Sequence, residues 1–149
     1  MLLADEVETR QLAQSFADVI GEPLLIFLKG DLGTGKTFWA RSLIHSLGYS
    51  GSVKSPTYAL LETYSTLKAV VNHFDLYRLA DAREWYVLGF DEVVSSKAIN
   101  LVEWPERIAP LNLCPDVLCT LSYETRGRRI EIIGQTDVGK ELVRRWRKN

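Results

Sequence analysis

Apolar positions along the chain follow two periods. Leu12, Phe16, Val19 and Ile20 recur at helical spacing behind Asp5 and Glu8, a D-x-x-E capping box, and predict an amphipathic first helix. That helix stops at Gly21-Glu22-Pro23. The unbroken apolar run Leu24-Leu25-Ile26-Phe27-Leu28 then predicts a strand buried on both faces. Beyond a glycine-rich stretch, Ala40, Leu43, Ile44 and Leu47 share one helix face, with Gly48 placed to end the helix. Two strand-like runs follow, over residues 57–64 and 68–75, and the Ser65-Thr66-Leu67 interruption predicts an antiparallel hairpin. Asp81 and Glu84 cap a short helix. Residues 98–104, AINLVEW, form a second buried strand, and Pro105 and Pro110 bracket a loop after it. Residues 116–124 and 128–135 pair around Gly127 as a second hairpin. The last helix starts near Asp137 and turns Leu142, Val143 and Trp146 inward. With no internal repeat, biased segment or linker, residues 1–149 read as a single domain.

Composition narrows the field. A chain of 149 residues buries a real core and has no room for a second catalytic domain. Its 18 basic and 19 acidic residues set up no field that would hold a polyanion, so tight nucleic-acid binding by the chain alone is not expected. The start, MLLADEVETR, turns acidic within a few residues, and no apolar run reaches membrane-spanning length, so a cytoplasmic protein without membrane contact is expected. Cys114 and Cys119 have no partner pattern for zinc and read as core thiols.

The candidate chemistry lies between the first strand and the second helix. GDLGTGKT, Gly30 to Thr37, fits G-x-x-x-x-G-K-[ST], a loop whose backbone N–H groups wrap phosphates. Gly33 and Gly35 allow close approach, the following helix presents its N-terminus, Lys36 reaches the β- and γ-phosphates, and the Thr37 hydroxyl suits Mg2+. A magnesium nucleotide also needs acidic residues at the carboxyl ends of neighbouring strands, and Asp75 and Glu103 each close an apolar run. One would hold the metal and the other would orient the attacking water; spacing alone does not rank them. Ser55 and Thr57, around Pro56, read either as a segment that closes on the γ-phosphate or metal, or as an ordinary polar turn. His73 reads as a hydrogen-bonded structural histidine, His45 as solvent-facing, and Trp104 as core or as a shield of the site. Basic residues at Arg126, Arg128 and Arg129, and at Arg144, Arg145, Arg147 and Lys148, read as solvated surface unless they share one face that could touch tRNA or an acidic partner.

With the phosphate loop, VKSPTY, HFDLYRL and LVEW present in this order, the chain closely resembles the TsaE family, also called YjeE, from the first helix to the last. The resemblance implies a three-layer α/β/α P-loop fold with a mixed, mainly parallel central sheet. It also implies ATP and Mg2+ as ligands and TsaB and TsaD as partners, with tRNA met through that complex. It assigns ATP contacts to Gly33, Thr34, Gly35, Lys36 and Thr37, magnesium to Thr37 and Glu103, and activity to Lys36, Asp75 and Glu103. Ser55 and Thr57 match a switch-like segment, Trp104 matches a position that matters for activity beside the nucleotide, and Thr9 matches a residue that approaches the adenine. Three features depart from the family pattern: Phe38 stands where many relatives carry a second Thr, the hairpin loop at Ser65 to Leu67 is short, and the segment after Trp104 lacks glycines.

The implied function is an ATPase required for forming the threonylcarbamoyl group on the adenosine next to the tRNA anticodon. Hydrolysis is expected to be slow alone and faster with partners, because an arginine finger is not obvious, Arg41 and Arg78 being the candidates. A small-molecule kinase and a nucleotide-gated binding module are the alternatives. No N-K-x-D motif points to GTP, and no serine-glycine-glycine signature points to a transporter ATPase.

Overall fold

The computed structural model describes residues 1–21 and 23–149. Asp5 caps α1 (Glu6–Ala17), its carboxylate accepting the Glu8 N–H at 2.9 Å. The Glu8 carboxylate reaches one residue further than a standard capping box and accepts the Ala4 N–H at 2.7 Å. Of the predicted stop at Gly21-Glu22-Pro23, Glu22 lies outside the described residues. The apolar run becomes β2 (Leu24–Lys29), and the next helix is α2 (Lys36–Ser46). Gly48 closes α2 as expected: its N–H bonds the His45 carbonyl at 2.9 Å, and the Tyr49 N–H bonds that of Ile44 at 3.3 Å.

The first hairpin is present but shorter than its pattern. β3 (Leu61–Ser65) and β4 (Val70–Asp75) pair antiparallel, while Thr57–Leu60 turns instead of extending. The Leu60 N–H closes onto the Pro56 carbonyl at 2.6 Å, and Leu60 takes a φ of 65°, both incompatible with a strand. Asp81 and Glu84 order the entry to α3 (Glu84–Val87), with the Glu84 carboxylate accepting the Ala80 N–H at 2.9 Å. A further short helix, α4 (Phe90–Ser95), precedes β5 (Ile99–Glu103). Pro105–Leu111 is a 3₁₀ segment instead of an open loop, with Pro105 at its first position, where a missing N–H costs nothing. The second hairpin is β6 (Val117–Tyr123) with β7 (Arg128–Gly134), followed by α5 (Asp137–Trp146). The two-residue β1 (Leu2–Leu3) pairs with β7 and is too short to show a period.

The strands form one seven-stranded sheet in the order β1-β7-β6-β2-β5-β4-β3. Its centre, β6-β2-β5-β4, is parallel, and the pairings outside it are antiparallel. Alternation along the central strands feeds two cores. Leu24, Ile26, Leu28, Ile99 and Leu101 join α1, α2 and α5 on one face, where Phe16 packs edge-on to Trp146 at 5.5 Å. Phe27, Phe74 and Val102 join Trp85, Phe90 and Ile108 on the other. This is the expected three-layer α/β/α fold. Cys119 is buried, its thiol pushed up by desolvation, but Cys114 is exposed, so only one of the two cysteines is a core thiol. Among the described residues no helix is long and apolar enough to cross a membrane.

Candidate functional site

Parallel pairing lines up the carboxyl ends of β2, β4 and β5, and the loop leaving β2 crosses above them. Gly30, at the exit of β2, has no space for a side chain: a Cβ there would sit 2.4 Å from the Leu121 carbonyl oxygen. Gly35 takes a φ of 101° at the start of α2, and no side chain caps that helix among the described residues. The N-terminal N–H groups of α2 therefore face the cleft, with the positive end of the helix dipole behind them.

The loop is already closed upon itself. Lys36 Nζ donates to the carbonyls of Gly30 at 2.5 Å and Asp31 at 3.0 Å. Its ammonium also lies 4.1 Å from the centre of the Trp104 ring. Burial pushes the Lys36 pKa below the ordinary lysine value, and Glu103, Glu106, Asp75 and Asp31 oppose that shift. The Thr34 hydroxyl donates to the Asp31 carbonyl at 2.8 Å, so its side chain braces the turn. Two residues of the β6–β7 hairpin hold the loop from outside: the Tyr123 hydroxyl donates to the Leu32 carbonyl at 2.7 Å, and Arg128 donates to that of Gly33 at 3.3 Å.

Asp75 and Glu103 sit opposite one another in the β4–β5 register, and both are buried. Their partners differ. One oxygen of Glu103, Oε2, accepts the Thr37 hydroxyl at 2.9 Å, and the other, Oε1, lies 2.7 Å from His73 Nε2. Asp75 accepts the Tyr77 N–H at 3.0 Å on Oδ1 and the Thr57 hydroxyl at 3.0 Å on Oδ2. The Ser55 hydroxyl, 3.5 Å from the same Oδ2, gives its one proton to Thr57 at 2.7 Å, so the two hydroxyls relay onto one oxygen of Asp75. The two carboxylates that sequence left unranked thus serve different neighbours, Glu103 the phosphate-loop helix and Asp75 the segment facing it.

A cleft of about 360 Å³ runs between these groups, lined by Gly33, Gly35, Lys36, Thr37, Ser55, Thr57, Asp75, Glu103 and Trp104 among others. Of the residues expected at the site, Thr9 and Thr34 do not line it. Thr9 is buried in α1 with its hydroxyl on the Asp5 carbonyl at 3.0 Å. Nor, among the described residues, does an arginine line the cleft. Arg78 lies 4.4 Å from the Tyr58 ring centre, and Arg41 lines a separate groove between α1 and α2. Of the basic residues in the second hairpin and near the C-terminus, Arg129 pairs with Glu124, Arg144 with Glu141, and Arg147 reaches the Ile132 carbonyl, while Arg144, Arg147 and Lys148 line one groove with Lys140, away from the phosphate loop.

The residues present suit a magnesium nucleotide. Thr37 and Glu103 offer hard oxygen donors beside the open N–H groups of α2. Among the described residues no cluster of three or more His, Cys, Asp or Glu side chains could hold a metal by itself. Mg2+ asks for little protein: one or two carboxylates, with phosphate and water supplying the rest. Trp104 takes a left-handed conformation, φ 58°, rare for so large a residue, and this lays its indole across Lys36. Sequence reasoning missed the partnership of His73 with Glu103, although period-two alternation puts His73 on the same face of β4 as Asp75. It also missed Tyr123 and Arg128, for which no local pattern exists, because their partners, Leu32 and Gly33, lie 91 and 95 residues away along the chain.

Fold and cleft together define a nucleotide-binding protein of the P-loop class. The family of threonylcarbamoyl adenosine biosynthesis protein TsaE matches residues 3–131, and the chain belongs to that family. The tRNA threonylcarbamoyladenosine biosynthesis protein TsaE of Haemophilus influenzae is 35% identical over 146 residues, 95% of this chain and 92% of the relative. The protein of the same name from Rickettsia bellii is 41% identical over 130 residues, 87% of this chain and 90% of the relative. The crystal structure of Bacillus subtilis YdiB has the same fold, with a TM-score of 0.79 at 22% identity over 99% of this chain and 93% of that one.

Proposed function

We propose that this protein is a single-domain, cytoplasmic, Mg2+-dependent ATPase that serves formation of the threonylcarbamoyl group on the adenosine next to the tRNA anticodon, acting with TsaB and TsaD. The observation that carries the reading is the Thr37 hydroxyl 2.9 Å from Glu103 Oε2, at the open N-terminus of the phosphate-loop helix. In this reading Thr37 and Glu103 hold the metal. When bound, Mg2+ neutralises charge on the β- and γ-phosphates as the bond between them breaks. Lys36 gives up the Gly30 and Asp31 carbonyls and turns to the phosphates, and the Gly33–Thr37 N–H groups cradle them. Asp75, on the other side of the cleft, orients the attacking water. Water oxygen bonds to the γ-phosphorus, the bridging oxygen departs with ADP, and phosphate is released. Ser55 and Thr57 close over the γ-phosphate while bonded to Asp75. Trp104 covers Lys36, and the contact of Thr9 with the adenine rests on the family resemblance alone, since Thr9 stands outside the cleft.

Hydrolysis by the chain alone is slow, because Lys36 is the one cation lining the cleft among the described residues. The TsaB–TsaD complex supplies or orders what is missing, and tRNA is met through it. ATP hydrolysis measured alone and then with TsaB, TsaD and tRNA tests this, with Lys36→Ala as control. Stimulated turnover that vanishes in the mutant supports the reading. Turnover that requires a small-molecule acceptor would make the protein a kinase, and tRNA modification that survives Glu103→Gln without hydrolysis would make it a nucleotide-gated binder.

A further inference from the structure

His73 is fully buried in the middle of β4, next to the most important carboxylate in the cleft, and the reaction as described makes no use of it. Its Nε2 lies 2.7 Å from Glu103 Oε1, and its Nδ1 has no hydrogen-bond partner among the described residues. Those two facts select the tautomer. A proton on Nε2 has an acceptor in Glu103 Oε1, while a proton on Nδ1 would be a buried donor without one, so Nε2 is the nitrogen that carries a hydrogen here. The imidazole therefore donates to Glu103, and among the described residues no other group holds either ring nitrogen.

The donation has a geometric consequence. A glutamate side chain has a soft terminal torsion that leaves its carboxylate free to rotate. With Oε1 pinned by His73 and Oε2 meeting the Thr37 hydroxyl, rotation is blocked, and Oε2 alone is directed at the metal side of the cleft. We infer that His73 is a positioning residue that fixes the Glu103 carboxylate for Mg2+. The inference rests on the reading of Glu103 as a magnesium ligand. His73 touches neither nucleotide nor metal; it acts through Glu103, as the outer partners of metal-binding carboxylates do. Asp75 has no such partner in the opposite strand, because its oxygens are taken by Tyr77, Thr57 and Ser55.

The test compares two amides of similar polarity at position 73. Gln places an N–H near the position of Nε2, whereas the shorter Asn cannot reach Glu103. ADP affinity of the full chain is titrated by calorimetry with EDTA and with Mg2+, alongside Glu103→Gln, and thermal unfolding checks that each variant folds. His73→Asn is expected to keep the metal-free ADP affinity and to raise the Mg2+ concentration for half-effect by about 10-fold or more, with His73→Gln within about threefold of the parent. The half-saturating Mg2+ concentration for hydrolysis should shift in parallel. If Glu103→Gln loses the Mg2+ effect while His73→Asn keeps it, or if Gln is as defective as Asn, the positioning role is wrong and the metal reading stands. If the parent chain and Glu103→Gln show the same Mg2+ response, the metal reading fails and takes the inference with it.

Discussion

The phosphate loop and the segment facing it are anchored in opposite ways. Gly30–Thr37 is tied from within by Lys36 and Thr34 and from outside by Tyr123 and Arg128, so its carbonyls are occupied before any ligand arrives. The Val53–Leu60 segment meets the cleft through Ser55 and Thr57, both on one oxygen of Asp75, and carries Tyr58 with 85% of its surface exposed. A loop held at many points is a preorganised cradle, which lowers the ordering cost of binding phosphate. Val53 is buried and the Leu60 carbonyl accepts the Asp75 N–H at 3.0 Å, so the ends of the segment are fixed, while its cleft-facing hydroxyls can respond to whatever the Asp75 carboxylate does next. Opening free energies in one fold differ in this way, and mobile elements come from the weakly held end.

The comparison can be tested by removing its central groups. Lys36→Ala takes away the internal tie and the only cation lining the cleft among the described residues, and hydrolysis should fall by about 10²–10³-fold, measured as phosphate release at saturating ATP. Asp75→Asn removes the charge that gathers the two hydroxyls. Turnover should fall by about 10²-fold with ADP affinity little changed, and hydrogen exchange should quicken at residues 57–60 while the loop at 30–37 keeps its protection. Equal quickening in both segments would mean they are not separately anchored. Tyr123→Phe deletes a single outer tie, and an about twofold loss of ADP affinity is expected, because an exposed hydrogen bond contributes about 0.5 kcal/mol.

The smallest effect is on proton uptake. Burial lowers the Lys36 pKa from 10.5, so between the lowered value and 10.5 the unfolded chain binds the extra proton. Stability of the free protein should therefore gain from Lys36 as pH rises through that window, and Lys36→Met should lose the gain. Phosphate restores the charged form, so nucleotide binding in the same window should take up a proton, visible as a buffer-dependent binding heat. A heat that is the same in buffers of different ionisation enthalpy would show that Lys36 is already fully charged in the free loop.

Much of this architecture was legible because it is written in short-range patterns. The phosphate loop, the second hairpin, the two buried central strands and the helices opening at Asp5 and near Asp137 depend on spacing within a few residues, and they stand where those patterns put them, while the first hairpin keeps its pairing but loses its first four residues. The failures occurred where a local pattern met a longer constraint. Residues 57–60, Thr-Tyr-Ala-Leu, have the composition of a strand, but the bond from the Leu60 N–H to the Pro56 carbonyl turns them. The Pro105–Pro110 stretch has loop composition, yet it winds as a 3₁₀ segment over the second core.

Sequence by itself determined the class of this protein: a glycine-rich loop between a buried strand and a helix, with Asp75 and Glu103 at strand ends, is the pattern of a P-loop nucleotide-binding fold. Tertiary structure alone decided how the parts divide the work. Asp75 and Glu103 are equivalent as acids at strand ends, and only the parallel register of β4 with β5, and the approach of α2, gives Thr37 and His73 to one and Ser55 and Thr57 to the other. The same holds for Tyr123, Arg128 and Trp104, whose partners lie far along the chain. Periodicity reports which face of an element is buried; which side chain waits on the other side of that face is a property of the packed sheet.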